Sequence, residues 1–347
     1  MNKTLVILFS INIITSQPVF EEFYYGGVDR QYYLYIPTTI EPESPLVFVF
    51  HGFTSFAEDI MEYSGMNEIA ETNGFAVCYP QGTTDNNDNT FFNVGYSFHW
   101  NQTVDDAGFI IALAEYLQFH YNLSPFNTFS TGMSNGAEMS YLLACEFPNY
   151  FRAVAPVAGT MMESWYSTCN PEYPTPIFEI HGTNDNVTWW DGDPQDLGGW
   201  GPYVGIENII QLWRNINLTD SVVYDTLLDL NQADGSYVTT RKYQDGQYNN
   251  EVWLFKVIGG GHDWLGAFGN MDINASELIW EFFNRFSILY KIGDVDYDGN
   301  ININDILYIS AAIYNELSYN FLFDYNNDNT IDENDIYSII ATIFGLG

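Results

Sequence analysis

The stretch "TFSTGMSNGAEMSYLLACEFP", Thr128 to Pro148, decides how the rest of the chain is read. It begins as an apolar run of strand length and continues as a helical pattern with Met139, Leu143 and Phe147 on one stripe. At the junction, Gly132-Met133-Ser134-Asn135-Gly136 spells G-x-S-x-G. A strand, a sharp turn and a helix are the setting that exposes a serine hydroxyl at the top of a sheet, with a helix N-terminus behind it. The pentapeptide alone is also an ordinary glycine-rich turn. A base, an acid and an oxyanion site must therefore come from elsewhere.

Working outward, "PLVFVFHG" (45–52), "FAVCYPQG" (75–82), "FRAVAPVAG" (151–159) and "PIFEIHGTND" (176–185) are further short apolar runs. Runs apolar on both faces predict buried parallel strands. Between them, "VDDAGFIIALAEYLQFHYN" (104–122) sets Phe109, Leu113, Leu117 and His120 on one helical stripe, with Asp105 and Asp106 suited to its N-terminus. Strand alternating with helix from about residue 20 to 290 predicts an α/β fold, doubly wound around a mostly parallel sheet. "EEFYYGGVDRQYYLYIP" predicts an antiparallel hairpin around Gly26-Gly27.

The chain has five histidines. His120 belongs to the helix stripe, His51 and His181 each precede a glycine at a strand end, and His99 sits beside Trp100. His262 lies in "VIGGGHDWLG", a glycine-rich loop after the strand-like "EVWLFKV", where an imidazole can serve as general base. Asp185 falls just beyond a strand's C-terminal end, the edge at which open α/β sheets meet ligands, although Asp191 and Asp193 compete with it. The order Ser134, Asp185, His262 is that of α/β-hydrolases. Backbone amides of Asn135, after the serine, and of Phe53, in the loop after "VFVFHG", are the expected oxyanion donors. Trp100, Trp190 and Trp264 are the expected substrate contacts, since aromatic walls suit a phenolic acyl group or a flat polymer; core or lid packing is the competing role for Trp100 and Trp189, and Trp264, two residues after His262, is the leading contact.

Bulk properties narrow the class. The 347 residues are 46% hydrophobic and 18% aromatic, enough for a sizeable core. A formal charge of −36, from 45 acidic against 9 basic residues, argues against nucleic acid and anionic membranes as partners. Lys3 followed by the apolar run Leu5–Ile14 is too short to span a bilayer and is laid out as a signal peptide. Ile14 and Ser16 would occupy the −3 and −1 positions, so residues 1–16 would be removed. Of three cysteines, Cys78 lies in an apolar strand and is expected as a buried thiol. Cys145 and Cys169, in polar connecting contexts, are expected as a disulfide, which an exported protein permits.

The set "HGFTSFAEDI", "VCYPQG", "HWNQTVDDAGFI", "TGMSNGAEMSYLLACEFPNYFRAVAPVAG", "EIHGTNDNV" and "GGGHDW" resembles the polyhydroxybutyrate depolymerase/feruloyl esterase branch of α/β-hydrolases, of the carbohydrate esterase family 1 type, over roughly residues 20–286. Ala137 departs from it, standing where many relatives carry another glycine. The resemblance implies a secreted serine esterase without a catalytic cofactor, with Ser134 as nucleophile, His262 as base and Asp185 as its orienter. It also favours the Cys145–Cys169 pairing.

After "FFNRFSILYKI" the composition turns Asp/Asn-rich and repeats itself. Asp294, Asp296, Asp298, Asn300, Asn302 and Asp305 fall at positions 1, 3, 5, 7, 9 and 12 of one loop; Asp324, Asn326, Asp328, Thr330, Asp332 and Asp335 repeat the spacing. Alternating oxygens converging on one point suit calcium. Gly299 and Asn329 at position 6 permit the sharp turn. Stripes Ile306, Ile309, Ile313 and Ile336, Ile339, Ile343 predict a helix after each loop, and no amphipathic helix precedes either. Paired half EF-hands of this kind resemble a type I dockerin, which implies two Ca2+ ions and a cohesin on a scaffold as partner. Positions 10 and 11, Ile303-Asn304 and Glu333-Asn334, are not the familiar Ser-Thr pair, and an autonomous calcium module is the competing reading.

The expectation is thus a signal peptide (1–16), an esterase domain (17–290) and a small all-α dockerin-like domain (291–347). The enzyme would act outside the cell on feruloyl or acetyl esters of plant cell-wall polysaccharides. A polyester depolymerase, or an inactive hydrolase-fold binding protein carried on a scaffold, are the alternatives.

Overall fold

A computed structural model of the chain describes residues 16–288, 293–295, 300–315, 323–326, 328 and 330–345. Residues 1–15 of the expected signal segment, and Asp296, Asp298, Gly299 and Asn329 of the repeat, lie outside the described residues. Two compact units divide the chain, the first ending at Phe286 and the second beginning at Ser287.

The first unit is built on one ten-stranded sheet. Its strands are β1 (Val19–Tyr25), β2 (Val28–Tyr35), β3 (Leu46–Phe50), β4 (Ala76–Pro80), β7 (Thr128–Met133), β8 (Ala153–Val157), β9 (Ile177–Gly182), β12 (Ser221–Thr226), β13 (Tyr237–Gln244) and β14 (Val252–Ile258). Two-residue ribbons pair β5 (Thr83–Thr84) with β6 (Thr90–Phe91) and β10 (Gly192–Asp193) with β11 (Tyr203–Val204). The main order is β1-β2-β4-β3-β7-β8-β9-β14-β13-β12. β4, β3, β7, β8, β9 and β14 run parallel, and antiparallel pairs β1/β2 and β12/β13 extend the two edges.

Every residue of β3, β4, β8 and β9 is buried, as apolar runs require in the first three; β9 also buries Glu179 and His181. Helices α3 (Asp106–Tyr121), α4 (Asn135–Glu146) and α6 (Ile206–Asn217) cover one face through Phe109, Leu143 and Trp213. Helices α1 (Ala57–Ser64), α2 (Met66–Asn73) and α7 (Ala275–Phe286) cover the other through Ile60, Met66 and Phe283. Fully burying one such side chain stabilises by about 1.5–3 kcal/mol. A four-residue α5 (Glu163–Tyr166) lies between β8 and β9.

In α3, Asp105 caps the helix by accepting from the Gly108 amide at 2.8 Å, and Phe109, Leu113 and Leu117 are buried. His120 is exposed although it keeps to the stripe, because it lies in the last turn of α3, where residues 119–122 are all exposed. The disulfide joins Cys145 to Cys169 with Cα atoms 5.4 Å apart. Cys145 stands in the last turn of α4 and not in a connecting segment, since the helix runs one residue past it. Cys78 is buried in β4. Among the described residues no helix is long and apolar enough to cross a membrane.

The second unit holds α8 (Ile303–Tyr314) and α9 (Glu333–Phe344), packed on a small core of Val295, Ile306, Ile309 and Ile339. Ile313 and Ile336 border that core, whereas Ile343 lies at the exposed end of α9.

Candidate active site

The order of the sheet reverses between β4-β3 and β3-β7, and crevices at such switch points receive ligands. Ser134 directly follows β7, one of the strands at that point. It links β7 directly to α4 with φ 56° and ψ −119°, a conformation that side-chain-bearing residues rarely adopt. The turn is held by the Ser134 amide donating to the Val157 carbonyl (3.0 Å) and by the Ser134 carbonyl accepting from the Glu138 amide (3.0 Å). The flanking glycines have a steric cause. A Cβ on Gly132 or Gly136 would stand 2.7 or 2.3 Å from the Phe50 carbonyl oxygen, so only glycine lets α4 start this close to β3.

Asp185 follows β9 and His262 follows β14, its parallel neighbour. His262 Nδ1 lies 2.7 Å from Asp185 Oδ2. The other oxygen, Oδ1, accepts from the Val187 and Thr188 amides at 2.8 Å each. The carboxylate is thus inaccessible to water, while the imidazole remains partly open. Such an arrangement fixes Nδ1 as the protonated nitrogen and leaves Nε2 to act as base. Of the competing acids, Asp191 is exposed and Asp193 accepts from the Gly198 amide at 2.6 Å.

The Asn135 amide is the first of α4 and has no acceptor within the helix. The Asn135 side chain is spent on structure, accepting from the Phe92 amide (2.7 Å) and donating to the Phe92 carbonyl (3.0 Å). Phe53 follows Gly52, where a Cβ would come 3.6 Å from the Ser134 Cβ, so the loop after β3 runs beside the serine. His51 holds that loop. Its Nδ1–H donates to the Gly52 carbonyl (2.7 Å) and its Nε2 accepts from the Gly82 amide (3.0 Å). Burial pushes His51 down to about 4, so it stays neutral.

The tryptophans separate. Trp264 is 1% exposed, belongs to the core under α7 and donates its Nε1–H to Ser276 Oγ at 3.0 Å. It is a packing residue and not a substrate contact, because a ring beneath the surface has no face to offer. Trp100 is 84% exposed. Trp190 is half-buried, stands edge-on to His181 at 5.9 Å and carries the Lys256 ammonium 4.2 Å above its ring. A cluster missed in the sequence surrounds Phe53: Trp200 (5.5 Å), Phe98 (5.7 Å) and Tyr96 (6.1 Å). These residues come from two loops about a hundred positions apart, and nothing in their local sequence ties them together. Tyr96 OH donates to Glu138 Oε2, and burial raises that carboxyl to about 8.

In the second unit the two loops close alike. Asp305 Oδ2 accepts from the Asn302 amide and Asp335 Oδ2 from the Asp332 amide, each at 2.8 Å. Asp305 Oδ1 accepts from the Val295 amide (2.7 Å) and Asp335 Oδ1 from the Asn326 amide (3.1 Å). Asn302 and Asp332 cap their helices through the Asn304 and Asn334 amides. Asp328 and Thr330 bond to each other, and Asn300 is exposed. Asp294, Asp305, Asp324 and Asp335 are at most 3% exposed, and no Lys, Arg or His follows residue 291. Buried carboxylates without cationic side chains fit a bound hard cation. Among the described residues, no three His, Cys, Asp or Glu gather closely enough to hold a metal.

Known proteins align with the first unit. Residues 30–170 match the family model described as esterase PHB depolymerase. A bifunctional acetylxylan esterase/xylanase of Neocallimastix patriciarum is 27% identical over 161 residues, 46% of this chain and 22% of that one. Feruloyl esterase D of Neurospora crassa is 25% identical over 268 residues, 76% of this chain and 84% of its own. The chain thus spans less than a quarter of the length of the first relative. Among solved structures, an acetyl xylan esterase from Aspergillus awamori superposes with a TM-score of 0.54 at 16% identity, over 78% of this chain and all of that one. The first unit has the α/β-hydrolase fold, and its relatives mark it as a carboxylic ester hydrolase domain.

Proposed function

We propose that the protein is a serine carboxylesterase of plant cell-wall polysaccharides, with Ser134 as nucleophile, His262 as general base and Asp185 as its orienter. The observation that carries it is the placing of a strained serine at the sheet's switch point, with a histidine–carboxylate pair bonded at 2.7 Å beyond the ends of β9 and β14.

In this mechanism His262 Nε2 takes the Ser134 proton as Oγ attacks the ester carbonyl. The Phe53 and Asn135 amides receive the oxyanion; one such donor contributes about 3–4 kcal/mol to the transition state. The imidazolium then protonates the departing alcohol, and water activated by the same base releases the acid. This route uses no metal.

The ring cluster around Phe53, the residue after the Gly52 that approaches the serine, favours a flat phenolic acyl group, as in a feruloyl ester. An acetyl ester would leave those rings unused, and an aromatic polyester would use them equally. The second unit enters as a module for two Ca2+ ions, held by Asp294, Asn300, Asn302, Asp305, Asp324, Asn326, Asp328, Thr330, Asp332 and Asp335, with Asp296 and Asp298. Calcium there would neutralise the clustered carboxylates, and a cohesin-type scaffold is its proposed partner. Export from the cell is part of the same reading and is supported by the Cys145–Cys169 disulfide.

The test is a panel of methyl ferulate, acetylated xylan, hydroxybutyrate oligomers and terephthalate esters, run with wild type and Ser134→Ala. Methyl ferulate or acetylated xylan should be turned over by the wild type alone. Equal rates for the two proteins would refute the enzyme, and preference for hydroxybutyrate would move it to the polyester reading.

A further inference from the structure

A second histidine stands behind the acid of the site. Glu179 and His181 are two apart on β9, so their side chains share a face of the strand. Both are completely buried. His181 Nδ1 lies 2.9 Å from Glu179 Oε1, and His181 Nε2 lies 2.9 Å from the Thr188 carbonyl oxygen. The same Nε2 is 3.5 Å from Asp185 Oδ2, the oxygen that also faces His262. Glu179 Oε2 accepts from Tyr141 OH of α4 at 2.7 Å.

Each ring nitrogen of His181 therefore faces an oxygen. A carbonyl can only accept, so Nε2 carries a proton. Burial raises the Glu179 carboxyl, but its bonds to His181 and Tyr141 work against that rise; with Oε2 receiving the Tyr141 hydroxyl, we take Oε1 as an acceptor and Nδ1 as carrying the second proton. A ring with both nitrogens protonated is an imidazolium. The group sits where a lone charge could not persist, and Glu179 neutralises it.

We infer that His181, held as an imidazolium by Glu179, is a positioning residue that fixes the Asp185 loop and sets a positive charge against the Asp185 carboxylate. Two contacts do this together. The bond to the Thr188 carbonyl clamps the segment whose amides bind Asp185 Oδ1 from the other side. The charge at 3.5 Å offsets the crowding of the Glu179 and Asp185 carboxylates in one dry pocket. Burial alone would lower the affinity of His181 for its proton, but the bond to Glu179, reinforced by the Glu179 and Asp185 charges, raises it. Trp190 stands edge-on to His181 at 5.9 Å and carries the Lys256 ammonium of β14 4.2 Å from its ring centre. Tyr141 of α4 bonds Glu179, while His262 and Tyr203 of β11, whose hydroxyl accepts from the Trp189 amide, are titratable groups that act on Asp185.

This inference rests on the triad reading and deepens it. When His262 takes up the serine proton, the Asp185 carboxylate must stabilise the new imidazolium without shifting. A cation already in contact with Asp185 offsets part of the field that the carboxylate places on the His262 ring. Losing the His181 charge should thus move the acid limb of the pH profile upward.

Two measurements test it. In wild type with 15N-labelled histidine, one ring should show both nitrogens protonated from about pH 6 to 9, well above the ordinary histidine range. That signal should vanish in His181→Gln. In Glu179→Gln and His181→Gln, the acid limb of kcat/KM on p-nitrophenyl acetate should shift upward. By comparison with other losses of base positioning, kcat should fall about tenfold or more at nearly unchanged KM. A neutral His181 in the wild-type spectrum overturns the inference without any variant. So does an acid limb that stays in place in both substitutions. Full activity in Ser134→Ala would instead defeat the triad reading itself, so the two failures are distinguishable.

Discussion

A methyl group placed on Gly182 would fall 2.3 Å from the carbonyl oxygen of Gly261. The end of β9, which leads to Asp185, thus lies directly against the loop that carries His262. Gly182→Ala must push that loop away. A misplacement of this size costs about a hundredfold in rate. We expect kcat/KM on p-nitrophenyl acetate to drop by about that factor, with the unfolding midpoint changed far less. An unimpaired Gly182→Ala enzyme would mean that His262 is positioned by something else.

Ser134 holds its φ of 56° at an energetic cost. Strain of this kind is about 1–3 kcal/mol, and glycine relieves it. Ser134→Gly and Ser134→Ala should both lose activity by at least about a thousandfold. The glycine variant should nevertheless be more stable than the alanine variant, by about 1 kcal/mol in urea unfolding. Equal midpoints would show that the turn is unstrained.

Glu138 predicts a pH effect on stability. Its carboxyl is raised by burial to about 8, against 4.5 in the unfolded chain. Between those values the folded state keeps a proton that the unfolded state has lost. Stability from this group is therefore complete below about 4.5 and lost as pH rises through about 8. Glu138→Gln, which preserves an acceptor for Tyr96 OH, should flatten the decline of urea midpoint with pH across that window. An unchanged slope would show that the proton is not held there.

For the second unit, calcium should add a stabilised transition to thermal unfolding of the full chain, and EDTA should remove it. Hydrolysis of p-nitrophenyl acetate should be the same in both conditions, because the mechanism proposed for Ser134, Asp185 and His262 uses no metal. Identical unfolding traces with and without calcium would dispose of the ion sites. Loss of hydrolysis under EDTA would contradict metal-free chemistry.

How far the sequence could be read depends on the range of the interactions. The strand-turn-helix around Ser134 was legible because apolar periodicity and glycine placement are local signals, confined to residues 128–148. The parallel sheet was legible for the same reason, from runs apolar on both faces. His120 went astray because a stripe tells which face of a helix is apolar but not where the sheet stops covering it, and residues 119–122 at the end of α3 are all exposed. Trp264 went astray because proximity in sequence to His262 says nothing about which side of the sheet a ring enters.

The sequence by itself determined the elements and the chemical candidates: a serine between two glycines, a histidine in a glycine loop, an aspartate at a strand's end, and oxygens repeated at alternate positions. Only the tertiary structure decided which groups meet. It paired His262 with Asp185 and not with Asp191 or Asp193, set Glu179 and His181 behind that pair, and gathered Phe98 and Trp200 around Phe53. Local periodicity fixes where a side chain points from its own backbone, but contact partners depend on how strands far apart in the chain line up in the sheet, and no single segment encodes that.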